Sequence, residues 1–165
     1  MLKTFRIGGI HPKERKISAG KAIQPIAIPK QVVIPMSQHI GAPCQPIVKK
    51  GDKVKVGTQI GKSVGYVSAN IHSSVSGTVL KIDKALDSSG YRRDAVFINC
   101  EGDEWEESID RSETIKKECT LSQTEILSKI EKAGIVGMGG ATFPSHVKLT
   151  PPPGTTPEIL IINGV

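Results

Sequence analysis

Residues 49–61 read Lys-Lys-Gly-Asp-Lys-Val-Lys-Val-Gly-Thr-Gln-Ile-Gly, and residues 71–79 read Ile-His-Ser-Ser-Val-Ser-Gly-Thr-Val. In the first stretch Gly51 and Asp52 predict a tight turn, and a second turn is expected at Gly57. Apolar residues alternate with polar ones around these turns, which is typical of half-buried strands. Together the two stretches predict short strands joined by tight turns.

The pair of stretches resembles the two halves of a biotinyl- or lipoyl-type flattened barrel, known as a barrel-sandwich hybrid. The rest of this region supports a mainly β fold, since glycine and proline are plentiful and aromatic residues are scarce. The strand candidates, each bounded by proline or glycine, are Gln31–Pro35, Gln45–Lys49, Val64–Val67, Thr78–Ile82 and Ala95–Cys100.

A covalent carrier role is not expected for this barrel. In biotinyl and lipoyl domains the acylated lysine precedes the glycine of the second half by eleven residues, and that position here is Tyr66, counted back from Gly77. A phenol cannot form the cofactor amide, and Lys62 lies four residues too early. We therefore expect no lipoyl or biotin group, with Tyr66 a surface hairpin residue and His72 a half-buried, hydrogen-bonded one.

Charge is unevenly distributed along the 165 residues, which allow one or two small domains. Residues 1–62 carry twelve Lys and Arg against two acids, whereas residues 63–165 carry ten against fourteen. The basic half has almost no aromatic residues to stack bases, so we expect no nucleic acid. A solvated face, or docking on an acidic partner or a membrane surface, is expected instead. No apolar run approaches the roughly 20 residues that span a bilayer, and no signal peptide opens the chain.

Cysteine and histidine spacing predicts no metal site. The three cysteines are far apart and odd in number, so they form neither a disulfide framework nor a CxxC pair, and buried or incidental thiols in a reducing, cytoplasmic setting are expected: Cys44, Cys100 and Cys119. The histidines are scattered without paired ligand spacing: His11, His39 and His146.

The second half of the chain begins with an acidic connection over residues 102–120, for which Trp105 is the candidate anchor. Ser122-Gln123-Thr124-Glu125 is a capping box that predicts a helix ending at Gly134. The apolar positions of this helix share one face: Ile126, Leu127, Ile130 and Ala133. Residues 158–165, Glu-Ile-Leu-Ile-Ile-Asn-Gly-Val, predict a buried strand of a parallel sheet. Such a strand needs neighbours, so we expect the chain to be a piece of a longer protein.

Between helix and strand lies a glycine-rich loop, residues 134–148, which reads Gly-Ile-Val-Gly-Met-Gly-Gly-Ala-Thr-Phe-Pro-Ser-His-Val-Lys. Its glycines let backbone approach a ligand closely, and consecutive N–H groups can form an anion-binding concavity. Pro144 suits the first turn of a short helix, and Lys148 adds a full positive charge one turn later. The loop therefore predicts a site for a planar, phosphorylated ligand with Phe143 beside it.

Over nearly its whole length the chain resembles the RnfC family, which belongs to Rnf-type electron transport complexes. The resemblance rests on Gly8 to Pro12, Val33 to Pro43, Val48 to Val54, His72 to Gly77, Gly137 to Lys148 and Ile161 to Val165. The loop is also similar to the flavin-binding loop of the NADH-binding subunit of respiratory complex I. The fold implied is an arm (residues 1–20), a barrel-sandwich hybrid (21–101), a linker (102–120) and the start of an α/β FMN/NADH-binding domain (121–165).

The resemblance implies a peripheral subunit, on the cytoplasmic face of the membrane, of a complex that exchanges electrons between ferredoxin and NAD(H) and translocates Na⁺ or H⁺. Its implied FMN-binding residues are Gly137, Gly139 and Gly140 through their backbone, Phe143 flanking the flavin or nicotinamide, Lys148 on the phosphate, and Asn163 in a second flavin-contacting segment. The family's two [4Fe–4S] clusters are expected only from segments beyond this chain. Two alternatives stay open: a docking module without chemistry, and a soluble flavin subunit of another reductase.

Overall fold

A computed structural model describes residues 13–87, 89–115, 117–159 and 161. Two predictions, the arm around Gly8 and Gly9 and the flavin contact at Asn163, lie outside the described residues. The elements in chain order are β1 (Gln31–Pro35), β2 (Gln45–Pro46), β3 (Lys53–Val54), β4 (Gln59–Lys62), β5 (Ile71–His72), β6 (Gly77–Leu86), β7 (Arg92–Cys100), α1 (Gln123–Lys132) and α2 (Ser145–Lys148).

The strands form two antiparallel sheets, one of four strands in the order β1-β7-β6-β3 and one of three in the order β2-β4-β5. One apolar core draws its side chains from both sheets and the turns between them: Ile34, Met36, Cys44, Val54, Ile60, Ile71, Val79, Val96 and Ile98. Alternation along the strands supplies these residues, because successive side chains point to opposite faces. The mainly β barrel-sandwich predicted for this region is consistent with that arrangement.

The predicted turns at Gly51 and Gly57 are confirmed. The Asp52 N–H donates to the Lys49 carbonyl, and the Asp52 carboxylate accepts the Lys49 N–H in return. At the second turn the Thr58 N–H donates to the Lys55 carbonyl. Both glycines have a positive φ, as the local turn sequences predict.

Strand β1 has the predicted bounds, but the other strand predictions needed correction. Strands β6 and β7 run several residues further than predicted, because their solvated ends pair through charged side chains such as Lys84 and Asp94, 2.8 Å apart. Strand β2 covers only the first two residues of Gln45–Lys49, since Pro46 has no N–H to donate.

The strand predicted at Val64–Val67 is wrong. Residues 65–67 bend around Gly65 at the tip between β4 and β5. Side chains take the place of a ladder partner there: Asn70 Oδ1 accepts the Ser63 N–H and Ser68 Oγ accepts the Val64 N–H. Short polar side chains compete in this way with strand pairing. Tyr66 lies at this tip, 70% exposed, as expected for a surface residue.

Residues 104–109 fold back on the barrel. The Val56 N–H donates to the Glu104 carbonyl and the Glu106 N–H donates to the Val56 carbonyl, so Trp105 pairs with Val56 as a short parallel bridge. The side chain of Ile109 fills the space over Gly57. The predicted anchor at Trp105 therefore acts through its backbone.

The buried strand predicted over residues 158–165 is wrong for its described part. Glu158, Ile159 and Ile161 are not in a strand, and the two isoleucines are 79% and 87% exposed. A parallel strand is stable only beside neighbours that complete its hydrogen bonds, and the described residues place no strand next to this segment. No helix in the described ranges is long and apolar enough to span a bilayer.

Candidate functional site

Helix α1 begins at the predicted capping box and leads into the glycine loop. The Ser122 hydroxyl accepts the Glu125 N–H while the Glu125 carboxylate accepts the Ser122 N–H. The Ser122 hydroxyl also lies 2.6 Å from the Glu125 carboxylate, and its hydrogen bond, together with that from the Ser122 N–H, holds the pKa of Glu125 below its usual value. The helix stops before Gly134, which has a φ of +66°. The apolar face of α1 is only partly covered by the described part of the chain, and none of its residues is buried.

Two backbone hydrogen bonds close the glycine loop by joining the residues on either side of residues 138–142. The Gly137 N–H donates to the Phe143 carbonyl at 2.9 Å, and the Ser145 N–H donates to the Ile135 carbonyl at 2.9 Å. Pro144 is fully buried and pairs with Val136 as an isolated antiparallel bridge. Gly137, Gly139, Gly140 and Phe143 thus lie on one hydrogen-bonded loop.

The outer part of the loop keeps its amides free. Within the described ranges, the backbone N–H groups of Met138, Gly139 and Gly140 have no protein acceptor. A Cβ built on Gly139 or Gly140 would meet nothing within 4 Å, so the space above both residues is open. Met138 is 97% exposed. Three consecutive amides without a protein acceptor, beside open space at two glycines, can serve an anionic group such as a phosphate.

The short helix expected after Pro144 is present as α2, a single turn with Pro144 as its N-cap. Its first N–H, that of Ser145, is already bonded to Ile135, so little of the helix end remains for an anion. The positive charge comes from Lys148 instead. This residue is exposed and has no acidic partner in the described part of the chain. It lines a cleft of about 580 Å³ together with Gln123, Leu149, Pro151, Thr155, Thr156 and Pro157.

His146 and Thr142 are two residues of this region that sequence analysis did not single out as functional. The Nδ1 atom of His146 is buried without a hydrogen-bond partner among the described residues. Thr142 adopts a φ of +51°, which a β-branched residue rarely does, and its hydroxyl reaches the barrel. No sequence signal predicts the contact of Thr142, because it joins distant segments of the chain.

A second cleft is lined by polar side chains that pair with each other. A cleft of about 530 Å³ is lined by Lys53, Thr58, Glu101 and Glu106, which pair with each other: Lys53 Nζ lies 2.6 Å from Glu101 Oε2, and the Thr58 hydroxyl donates to Glu106. The hydrogen bond from Lys53 lowers the pKa of Glu101. The described residues contain no cluster of three His, Cys, Asp or Glu side chains that could hold a metal ion.

Comparison with known proteins matches residues 3–103 to the family described as the RnfC barrel sandwich hybrid domain, which is well over half of the chain. This chain belongs to the RnfC family. Residues 130–165 match the Nuo51 FMN-binding domain, a stretch that contains the whole glycine loop. The family expected from the sequence motifs is thereby confirmed.

Curated relatives of the RnfC family are similar along almost the whole chain. The C subunit of a proton-translocating ferredoxin:NAD(+) oxidoreductase complex from Clostridium ljungdahlii is 49% identical over 99% of the chain and 35% of its own length. The C subunit of a Na(+)-translocating ferredoxin:NAD(+) oxidoreductase complex from Acetobacterium woodii is 45% identical over 98% of the chain and 36% of its own length. The C subunit of an ion-translocating oxidoreductase complex from Rhodobacter capsulatus is 40% identical over 99% of the chain and 32% of its own length. The chain spans about a third of the length of these relatives.

Proposed function

We propose that this chain is the N-terminal part of an RnfC subunit that serves a ferredoxin:NAD oxidoreductase complex coupled to Na⁺ or H⁺ translocation, and that residues 137–148 contribute to its FMN site. The observation that carries the proposal is the run of unpaired amides at Met138, Gly139 and Gly140. The relatives' names and the match to an FMN-binding domain support it. The subunit would lie peripherally on the cytoplasmic side, in contact with the membrane-bound subunits of the complex.

The residues present fit the cofactor. Three amides and the open space over Gly139 and Gly140 suit an anionic or flat group, and Lys148 offers an ammonium that no carboxylate of the described residues neutralises. Phe143, 38% exposed, would supply an apolar surface for the flavin or nicotinamide. FMN, when bound, supplies the hydride and single-electron chemistry. The chain's own residues bind and orient it, and Asn163 would add a contact from the following segment.

Iron–sulfur clusters are assigned to other segments of the full-length protein. Cluster ligands are closely spaced thiolates, whereas Cys44 is buried, Cys119 is exposed and the pKa of Cys100 is raised by burial. We also expect the segment around Ile159 and Ile161, which is exposed here, to become a strand when the rest of an α/β domain lies beside it.

The experiment is an FMN titration of the full-length protein, with flavin fluorescence as the signal. Lys148→Ala should raise the Kd for FMN at least about ten-fold, because a charge-assisted bond to a phosphate is lost. Lys21→Ala removes an exposed lysine far along the chain from the loop and should leave the Kd unchanged. A folded full-length protein that binds neither FMN nor NADH would contradict the proposal and leave a docking module as the function.

A further inference from the structure

Two contacts fasten one side of the glycine loop to the barrel. The Thr142 hydroxyl lies 2.9 Å from the Gln38 carbonyl oxygen and can donate to it, and the Ile40 N–H donates to the Ala141 carbonyl at 3.2 Å. The Thr142 hydroxyl also lies 2.7 Å from the Ala141 carbonyl, so its proton sits between two acceptors. The contacts join residues about a hundred positions apart, and they involve the residues that follow the free amides of Met138, Gly139 and Gly140.

Hydrogen bonds hold the barrel side of this clamp in place. His39, between the two clamp residues, is buried, with Nδ1 3.1 Å from the Ile40 carbonyl oxygen and Nε2 3.1 Å from the Ala69 nitrogen. The Gln38 amide reaches the Pro35 carbonyl at 3.1 Å, which ties the segment to the end of β1. A loop fastened to such a segment loses little further freedom when a ligand binds, and preorganisation of this kind strengthens binding.

A second set of contacts, which we call the seam, joins Asn70 of the barrel to Glu131 and Gly134, where the chain enters the loop. Asn70 donates from its side-chain amide to the Glu131 carbonyl at 3.4 Å, and a Cβ on Gly134 would lie 2.2 Å from the Asn70 carbonyl oxygen. The His39 contact with Ala69 joins this seam to the clamp at Gln38 and Ile40. The loop is therefore held by the barrel at its first residue, Gly134, and again at Ala141 and Thr142.

We propose that the barrel acts as the platform that positions the flavin loop, with Thr142 as the positioning residue whose hydroxyl holds the loop against Gln38. The inference rests on the proposed function, since it takes FMN as the ligand of the free amides. It gives the barrel a role that needs no covalent cofactor. It also explains why a β-branched residue is kept at a positive φ, where the hydroxyl bond compensates for strain.

The test uses the full-length protein and compares Thr142→Val with Thr142→Ser. T142V keeps the β-branched shape and removes the hydroxyl, so we expect the Kd for FMN to rise about five-fold, the effect of one lost hydrogen bond. T142S retains the hydroxyl and should bind FMN like the wild type. Hydrogen exchange at the Ile40 amide, measured without FMN, should become faster in T142V only.

Thr78→Val is the matched control, because Thr78 also donates one side-chain bond, to Glu101 at 2.8 Å, but lies on β6 away from the clamp. T78V should lower the melting temperature about as much as T142V does and leave FMN binding unchanged. Should T142V fail to fold, Thr142→Gly, which accepts a positive φ and also lacks the hydroxyl, carries the same expectation.

The outcomes separate the two proposals. Equal FMN affinity in wild type and T142V, or a T142S as weak as T142V, overturns the positioning role and leaves the proposed function standing. A wild-type protein that binds no FMN overturns the proposed function and this inference together. The platform role is supported if T142V binds FMN more weakly than the wild type while T142S and T78V both bind it with wild-type affinity.

Discussion

At the scale of single residues, the chemistry of the buried Cys44 is set by its neighbours. Its thiol donates to the Ala69 carbonyl at 2.8 Å and lies 3.6 Å from Nε2 of His39. Burial raises the pKa of Cys44, which disfavours the thiolate that a nucleophile requires. The pair is a structural contact that holds residues 39–44 against residue 69, as expected for an incidental thiol.

Thiol labelling at neutral pH checks this interpretation. Cys119 is exposed and should react first, whereas Cys44, 4% exposed, should be labelled only when the protein unfolds. Intact mass followed by peptide mapping gives the order of modification, and Cys119→Ser should remove the fast phase. Labelling of Cys44 in the folded protein at a rate close to that of Cys119 would contradict the structural role.

His72 makes the seam between barrel and helix sensitive to pH. Burial lowers the pKa of His72 below 6.5, although its hydrogen bond to the Lys132 carbonyl acts in the opposite direction. Between the folded and unfolded pKa values the unfolded chain therefore binds a proton that the folded chain does not. The contribution of neutral His72 to the stability of the folded state is complete above pH 6.5 and is lost as the pH falls through the lowered pKa of the folded state.

We expect the free energy of unfolding to fall as the pH is reduced below 6.5, and His72→Gln should flatten this dependence. The carboxylates with lowered pKa values start from 3.8 or 4.5 and therefore titrate at lower pH: Asp83, Asp87, Glu101 and Glu125. Urea unfolding at several pH values provides the measurement. Identical slopes for His72→Gln and the wild type would show that His72 does not titrate with folding.

At the scale of elements, the end of α1 is fitted to the barrel at Gly134. Its φ of +66° costs an alanine roughly 1 to 2 kcal/mol, and the added Cβ would also collide with the Asn70 carbonyl oxygen. Gly134→Ala should therefore lower the free energy of unfolding by more than this strain alone. Gly51→Ala, at a φ of +92° with open space around it, measures the strain without the collision. Equal losses in the two variants would argue against close packing at this seam.

Local signals made some elements predictable from sequence, and tertiary contacts decided the others. The bounds of β1 follow from flanking residues and Pro35, and α1 follows from its capping box at Ser122. The bend at Val64–Val67 depends on Ser68 and Asn70 reaching back to the backbone, which an alternating pattern does not reveal. The long ends of β6 and β7 depend on ion pairs across the hairpin rather than on apolar periodicity.

The candidate site shows the same division. The glycine run and Lys148 could be found by composition and spacing, and the loop and α2 lie where they were predicted. The clamp at Thr142 could not be found, because it pairs the loop with Gln38 and Ile40, about a hundred residues earlier in the chain. The attachment of Gly134 to Asn70 is non-local for the same reason.

At the scale of the whole molecule, barrel and loop act as one unit. The clamp at residues 38–40 and the seam at residues 70–72 fix the glycine loop at two places to the barrel, whose core both sheets share. The apolar face of α1 and the segment at Ile159 and Ile161 stay uncovered by the described part of the chain. We expect the remainder of the full-length protein to pack on these surfaces and complete the pocket on the open side of the loop.

Backbone amide exchange of the full-length protein, with and without FMN, tests this account most directly. Bound FMN should slow exchange at Met138, Gly139 and Gly140, which lack protein acceptors in the described structure, and should leave Gly137, already bonded to Phe143, almost unchanged. FMN that binds tightly while these three amides exchange at their free rate would place the cofactor elsewhere and contradict the central claim.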